Sequence, residues 1–209
     1  MVRRIRVSIL LIFSLFCDRK VLAGCNYTFG GWEFMEVSHD FKYSNFFGSV
    51  YFEHDNYEYK HLECWYVRTT VGYKVCDWLK ADVAYDFMQE PKYVTHRAIA
   101  DLTGILRQGN LKVALRERYM HTWTPAENKQ GNELRSRLKV QYAVPETKLT
   151  PYLAMEVMTW GGKWNKTRHY VGCTYDVYNH VQLEGYYLYY TFNGAPAEHV
   201  VGVGVNICI

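Results

Sequence analysis

The stretch NELRSRLKVQYAVPETKLTPYLAMEVMTW, Asn132 to Trp160, holds two alternating runs on either side of Pro145-Glu146-Thr147-Lys148. In the first run, Leu134, Leu138, Val140, Tyr142 and Val144 share one face, and Arg135, Arg137, Lys139 and Gln141 share the other. In the second, Leu149, Leu153, Met155 and Val157 oppose Tyr152, Glu156 and Trp160. Successive side chains of a strand point to opposite faces, so this is a β-hairpin with one apolar and one charged surface. Each run is as long as a tilted strand that crosses a bilayer, and longer than the usual strand of a soluble domain.

Outward from the hairpin, the composition suits the same reading. The 209 residues include 19 Tyr, 10 Phe and 6 Trp against 5 Pro, an aromatic excess that fits strands and membrane-interface girdles. No interior stretch approaches the run of about 20 apolar residues that a transmembrane helix needs. At the N-terminus, Arg3, Arg4 and Arg6 precede an apolar Val7 to Cys17 segment too short to span a bilayer, the pattern of a secretory signal. Val21-Leu22-Ala23 places a small residue at the cleavage position, so residues 1–23 read as a signal peptide and 24–209 as the mature chain, beginning at Gly24. Leu22-Ala23-Gly24-Cys25 also resembles a bacterial lipoprotein box, which makes Cys25 a candidate lipidation site. That reading ranks second, because Asp18, Arg19 and Lys20 separate the apolar segment from the box.

Residues 1–23 carry five basic groups against one acid, so their loss turns the formal +3 of the whole chain into about −1. No basic excess remains of the kind nucleic-acid binding requires, and that class is excluded. Beyond Cys17, the cysteines are Cys25, Cys64, Cys76, Cys173 and Cys208, an odd number without regular spacing, which is no disulfide framework. With no Cys-x-x-Cys and no His pair at ligand spacing, neither a metal nor a cofactor is expected.

Other alternating segments flank the hairpin: a ragged Trp32–Phe41, then Phe46–Asn56, a hairpin of Trp65–Val75 with Leu79–Phe87, Thr95–Leu106 with Leu111–Trp123, Arg168–Val177 with Val181–Phe192, and Val200–Ile209. Short and long connections take turns, the longer ones around Gln89–Lys92, Thr124–Gly131, Gly161–Lys163 and Asn193–Pro196. Transmembrane barrels sort tight periplasmic turns from longer outer loops in this way, and their strands alternate apolar-out and polar-in. The expected fold is therefore an all-β, antiparallel, up-and-down transmembrane barrel. About eleven runs are visible, and an even number brings both chain ends to the periplasm. Twelve strands are expected, with Asn26–Gly30 as the missing one, or ten if the Trp32 run is dropped.

The segments LRERY (Leu115–Tyr119), LRSRLKVQY (Leu134–Tyr142), LTPYLAMEV (Leu149–Val157) and HVVGVGV (His199–Val205) together resemble DUF2490, a family of outer-membrane β-barrels of unknown function, over most of the chain from Trp32 on. The resemblance implies a Gram-negative outer membrane, outer-membrane lipid around the barrel, and recognition of the C-terminal strand by the barrel-assembly machinery. One departure is the terminal Ile209, where such barrels commonly end in an aromatic residue.

Pairing strands symmetrically about their turns brings Arg118, Arg137, Glu156 and Tyr170 to one height, with Asp101 near Arg116 and with Arg135 and Arg168 one pair nearer the outer mouth. Arg68 and Glu184 share the inward parity, so the lumen-lining candidates are Arg68, Arg116, Arg118, Arg135, Arg137, Glu156, Arg168, Tyr170 and Glu184. Inward Arg and Glu that pair with each other simply fill a narrow barrel. A surplus of Arg over acids would instead line a passive path for small anionic solutes. An outer-membrane hydrolase is the remaining class, but Ser136 alternates outward and Ser49 has no evident His partner, so no catalytic residue is assigned. Tyr73, Trp78, Tyr142 and Tyr175 low, and Tyr85, Tyr119, Trp123 and Tyr187 high, read as interface girdles. A monomer is expected.

Intact mass of the purified protein should correspond to a chain beginning at Gly24. A mass showing diacyl or triacyl modification at Cys25 would establish the lipoprotein route instead.

Overall fold

Residues 28–57 and 61–209 are described by the computed structural model; residues 1–23 and Cys25 lie outside them. The strands are β1 (Thr28–Asp40), β2 (Phe46–Tyr57), β3 (His61–Cys76), β4 (Leu79–Gln89), β5 (Val94–Gln108), β6 (Leu111–Thr124), β7 (Lys129–Tyr142), β8 (Leu149–Trp160), β9 (Lys163–Tyr178), β10 (Val181–Phe192) and β11 (Ala195–Cys208). A single 3-10 turn, Pro125–Glu127, bridges β6 and β7. Each strand pairs antiparallel with its sequence neighbour, and β1 pairs with β11, closing the barrel.

The described residues form eleven strands, not the expected twelve or ten. The Asn26–Gly30 and Trp32–Phe41 segments are not two strands, because Thr28 to Asp40 runs unbroken as β1. An odd number leaves the first and last strands pointing the same way, so the closing pair is parallel, from Thr28 opposite Glu198 to Ser38 opposite Cys208. Thr28 and Cys208 consequently lie at opposite rims, which replaces the expectation that both chain ends share one side. The loop sorting also disappears. The strands run further than alternation suggested, and the described connections hold two to six residues at the rim that carries the C-terminus and two to four at the far rim. The Pro145 turn, expected to be tight, is the longest of them, spanning 143–148.

The two faces of the sheet reverse the usual order of a soluble domain. Outward Val83 and Leu153 are 61% and 53% exposed, whereas Glu156 and Asp86 are 2% and 0% exposed. Around the far rim the outward side chains form chains of rings: Phe52 on Trp65, Trp65 on Phe87, Phe87 on His96, and His96 on Trp123 at 5.4 Å. Tyr85, Tyr119 and Tyr187 stand in this belt, and Tyr73, Trp78, Tyr142 and Tyr175 are exposed toward the C-terminal rim. Two acids interrupt the apolar outer face. Glu117 accepts a hydrogen bond from Ser136 Oγ at 2.6 Å, and Glu33 is held by His54 Nδ1 at 2.9 Å and by Asn56.

Inside, the core is off-centre. Trp32, Met158, Leu188, Tyr190 and Val200 form an apolar cluster with Tyr152, Ala154 and Tyr170. It lies on the inward faces of β1 and β8–β11, with Trp32, Met158, Leu188, Tyr190 and Val200 toward the far rim and Tyr152, Ala154 and Tyr170 nearer the C-terminal rim. Inward rings fit because inward glycines face them. A Cβ on Gly202 would lie 2.0 Å from the Tyr186 ring, on Gly204 2.5 Å from Phe34, on Gly172 2.5 Å from Tyr152, and on Gly72 2.1 Å from Phe47. Gly202→Val should therefore destabilise the refolded barrel by about 1–3 kcal/mol, the usual cost of overpacking, measured by urea unfolding in lipid vesicles. Gly185→Ala, with nothing within 4 Å of the added carbon, should leave the midpoint in place.

Candidate functional site

Alternation along the strands determines which side chains enter the barrel. Inward positions are even-numbered on β1, β6 and β8 and odd-numbered on β2, β5 and β7, so Arg116 and Arg118, Arg135 and Arg137, and Glu156 all project into one cavity of about 410 Å³. Arg68, Arg168, Tyr170 and Glu184 line the same cavity, from β3, β9 and β10. All nine lumen candidates thus meet in one space, but not at the heights expected.

Arg116, Arg137, Glu156 and Arg168 occupy one row across β6 to β9. Arg118 and Arg135 stand one pair nearer the far rim, and Tyr170 pairs with Ala154, one pair nearer the C-terminal rim. The expected row contained Arg118 and Tyr170 in place of Arg116 and Arg168. Two local features cause the shift. The β6–β7 connection is four residues long, 125–128, and not the eight-residue loop Thr124–Gly131, and the β8–β9 connection is only Gly161-Gly162, so that even with one bulge residue between Met158 and Thr159 Glu156 meets Arg168 and not Tyr170.

Charge is close to balanced. Among the described residues nine basic and seven acidic side chains line the cavity, while Asp86 and Glu133 are buried within its wall. Arg118 clasps Asp101 with two prongs, Nε at 2.8 Å from Oδ1 and Nη2 at 2.6 Å from Oδ2. The expected neighbour of Asp101 was Arg116. Arg68 grips Asp86 in the same two-pronged way at 2.7 and 2.8 Å, and Arg97 adds a third charge 2.8 Å from that carboxylate. Arg135 donates to Glu133. Such planar, bidentate pairs are the strong form of the interaction, and pairing offsets the cost of taking a charge out of water.

Around Glu156 the balance tips positive. Arg116 Nη2 lies 2.6 Å from Oε1 and Arg168 Nη1 3.5 Å from Oε2, so two cations share one carboxylate. Arg137, opposite Glu156 in register, has no carboxylate within 4.0 Å among the described residues; its guanidinium rests 4.7 Å from the centre of the Tyr170 ring. Arg168 lies 4.4 Å from the Tyr190 ring and 4.9 Å from Trp32. Cations over ring faces are held by the ring quadrupole without being neutralised. Glu184 takes a hydrogen bond from the Tyr152 hydroxyl at 2.6 Å and faces Lys139 at 3.7 Å.

Sequence reasoning missed Asp86, Glu133 and Glu53. The period-two pattern puts each on an inward face, and aligning every strand, not four, would have found them. Glu53 is buried and accepts from the Tyr51 and Tyr66 hydroxyls. Among the described residues no cluster of His, Cys, Asp or Glu could hold a metal, and Cys64, Cys76, Cys173 and Cys208 are free thiols. Histidines bond Glu33, Tyr85, Asn132, Tyr187 and the Ile209 main chain. None of these partners is a serine, threonine or cysteine nucleophile.

A family model described as a protein of unknown function, DUF2490, matches residues 29–200. No curated protein matches the chain. Among solved structures, the chain is similar to the NanC porin in a rhombohedral crystal form, with a TM-score of 0.58 at 14% identity, over 83% of this chain and 91% of that one. The KdgM porin follows at 0.53 and 15% identity, over 83% and 89%. The KdgM porin in complex with disordered oligogalacturonate gives 0.53 and 15%, over 83% and 90%. At such identities the likeness concerns the fold.

Asp101→Leu, which strands Arg118 inside the wall, should lower stability by about 3 kcal/mol or more. Arg137→Met should cost less than about 1 kcal/mol, since it breaks no ion pair. Unfolding midpoints of the two variants, side by side, check both values.

Proposed function

We propose, for a chain that belongs to the DUF2490 family, that the barrel resides in a Gram-negative outer membrane and passes small anionic solutes through its lumen. The observation that carries this reading is Arg137: a lumen-facing cation without a carboxylate partner among the described residues, in a row where Arg116 and Arg168 already share Glu156. Fixed charge in a confined path selects ions by sign, and the local excess sits where a solute would pass. The apolar outer face and its aromatic rims support a lipid surrounding, since charges belong inside such barrels and apolar side chains outside. One solved porin of the same fold was crystallised with oligogalacturonate, an acidic solute.

On this reading residues 1–23 direct export and are removed, β11 supplies the assembly machinery with its signal despite ending in Ile209, and the protein acts as a monomer. The extensive pairing of Arg118, Arg68 and Arg135 supports a second reading, a closed barrel whose charges serve structure and whose function lies at a rim.

Purified protein in a planar bilayer should conduct with anion preference, and Arg137→Glu should weaken or reverse it. A stably inserted barrel without conductance would discard the channel in favour of the closed barrel.

A further inference from the structure

The wall opposite the paired arginines is made of rings. Tyr170 meets Tyr186 edge-on at 5.6 Å, Tyr186 lies beside Phe34 at 6.3 Å with planes 28° apart, and Phe34 lies beside Tyr51 at 5.6 Å and 22°. These side chains come from β9, β10, β1 and β2, so the arc crosses the seam where the barrel closes. Phe34 and Tyr186 lie flat. Three atoms of Phe34 are each 2.5 Å from the place a Cβ of Gly204 would take, and three atoms of Tyr186 are 2.0 to 2.4 Å from that of Gly202. A ring pressed against glycine backbone by one face presents its other face to the lumen. At one end of the arc stands Arg137, 4.7 Å over Tyr170 and, among the described residues, without a carboxylate within 4.0 Å.

We infer that the lumen reads shape as well as charge: its preferred ligand is a six-membered ring bearing a carboxylate, with the carboxylate at Arg137 and the ring face on Tyr186 and Phe34. The inference rests on the anionic-solute reading of the same lumen and adds to it the class of solute. A guanidinium binds a carboxylate through two parallel N–H bonds. A π face carries negative charge and attracts the positively polarised edge or C–H face of another ring. An open-chain acid can satisfy the first contact but offers no flat face for the second. Glu36, beside Phe34 and lining the cavity, supplies an acceptor for ring substituents, next to Asn206, whose amide donates to Glu184 at 3.3 Å.

Glucuronate and gluconate differ in being ring and open chain at equal charge, and benzoate offers a flat ring without hydroxyls. Calorimetric titration of the full-length protein refolded in detergent should show glucuronate or benzoate binding roughly fivefold tighter than gluconate, the scale of one ring contact. The tighter of the two identifies a pyranose or a planar acid. Phe34→Leu and Tyr186→Leu, each confirmed as folded by its shift on heating in gel electrophoresis, should bring the ring acids down to gluconate and leave gluconate unchanged. Equal binding of all three acids, no binding of any, or an equal loss of all three in both variants would overturn the ring site. Binding does not require current, so the two readings fail separately. Ring-selective binding without conductance discards only the channel, and anion conductance with equal binding discards only the ring preference.

Discussion

The parallel pairing of β1 with β11 is the contact on which everything inside the barrel depends, because an unclosed sheet would leave two edges of main-chain N–H and C=O groups without partners. Parallel ladders are slightly weaker per residue than antiparallel ones, and this seam is reinforced from the side chains. Gly202 and Gly204 remove bulk from the inward face of β11, so Tyr186 from β10 and Phe34 from β1 meet over it at 6.3 Å. At the C-terminal rim, Ile209 donates its main-chain N–H to the Ser38 carbonyl at 2.9 Å, and His39 bonds the Ile209 oxygen. The segment HVVGVGV thus has a physical reading: its valines face out at 201, 203 and 205, and its glycines make room for the rings that lock the closure.

Period-two alternation was enough to separate the two surfaces, since it depends only on strand geometry. Leu115-Arg116-Glu117-Arg118-Tyr119 is legible residue by residue as out, in, out, in, out. What alternation could not give was height. Cross-strand position depends on how each connection is built: a four-residue β6–β7 connection in place of an eight-residue loop put Arg116 where Arg118 was expected, and the two-residue Gly161-Gly162 turn put Arg168 where Tyr170 was expected, in the row around Glu156. Strand number failed for a related reason. Thr28–Asp40 contains Gly30-Gly31 and a ragged pattern, because its inward face carries Trp32 and Phe34 and its outward face carries Glu33. The ring arc was out of reach, because a ring lying over a glycine of the neighbouring strand, Tyr186 over Gly202 and Phe34 over Gly204, is visible only once register is known.

The outer face shows the cost of the same motifs. Placing two arginines inward at 116 and 118 leaves position 117 outward, and the chain holds a glutamate there. Its partner Ser136 occupies the matching outward position between Arg135 and Arg137, directly across the β6–β7 ladder. An acid on a lipid-facing surface costs less than a Lys or Arg at the same depth, and a hydroxyl donor reduces the cost further by satisfying one oxygen. The pair therefore belongs to the two most distinctive segments of the sequence on their outer side, as the arginines do on their inner side.

Near-balance of charge in the lumen changes what selectivity can mean. Nine bases facing seven acids, with Asp86 and Glu133 buried in the wall, give little net field along the axis, so a simple count of arginines says little about ion choice. The arrangement across the lumen is unequal. On β6 to β9, Arg116, Arg137 and Arg168 surround the one carboxylate of Glu156, whereas on β2 the buried Glu53 and Asp55 sit beside Tyr51 and Tyr66. On the channel reading, a field directed from one wall to the other would orient a solute instead of merely attracting it, with an anionic group toward the arginines and the uncharged remainder toward the rings. Pairing most of the bases is what makes this possible. A fully unpaired wall would be costly to bury, while a wall in which most arginines hold a carboxylate limits that cost and, on the channel reading, still leaves Arg137 for an anion to face.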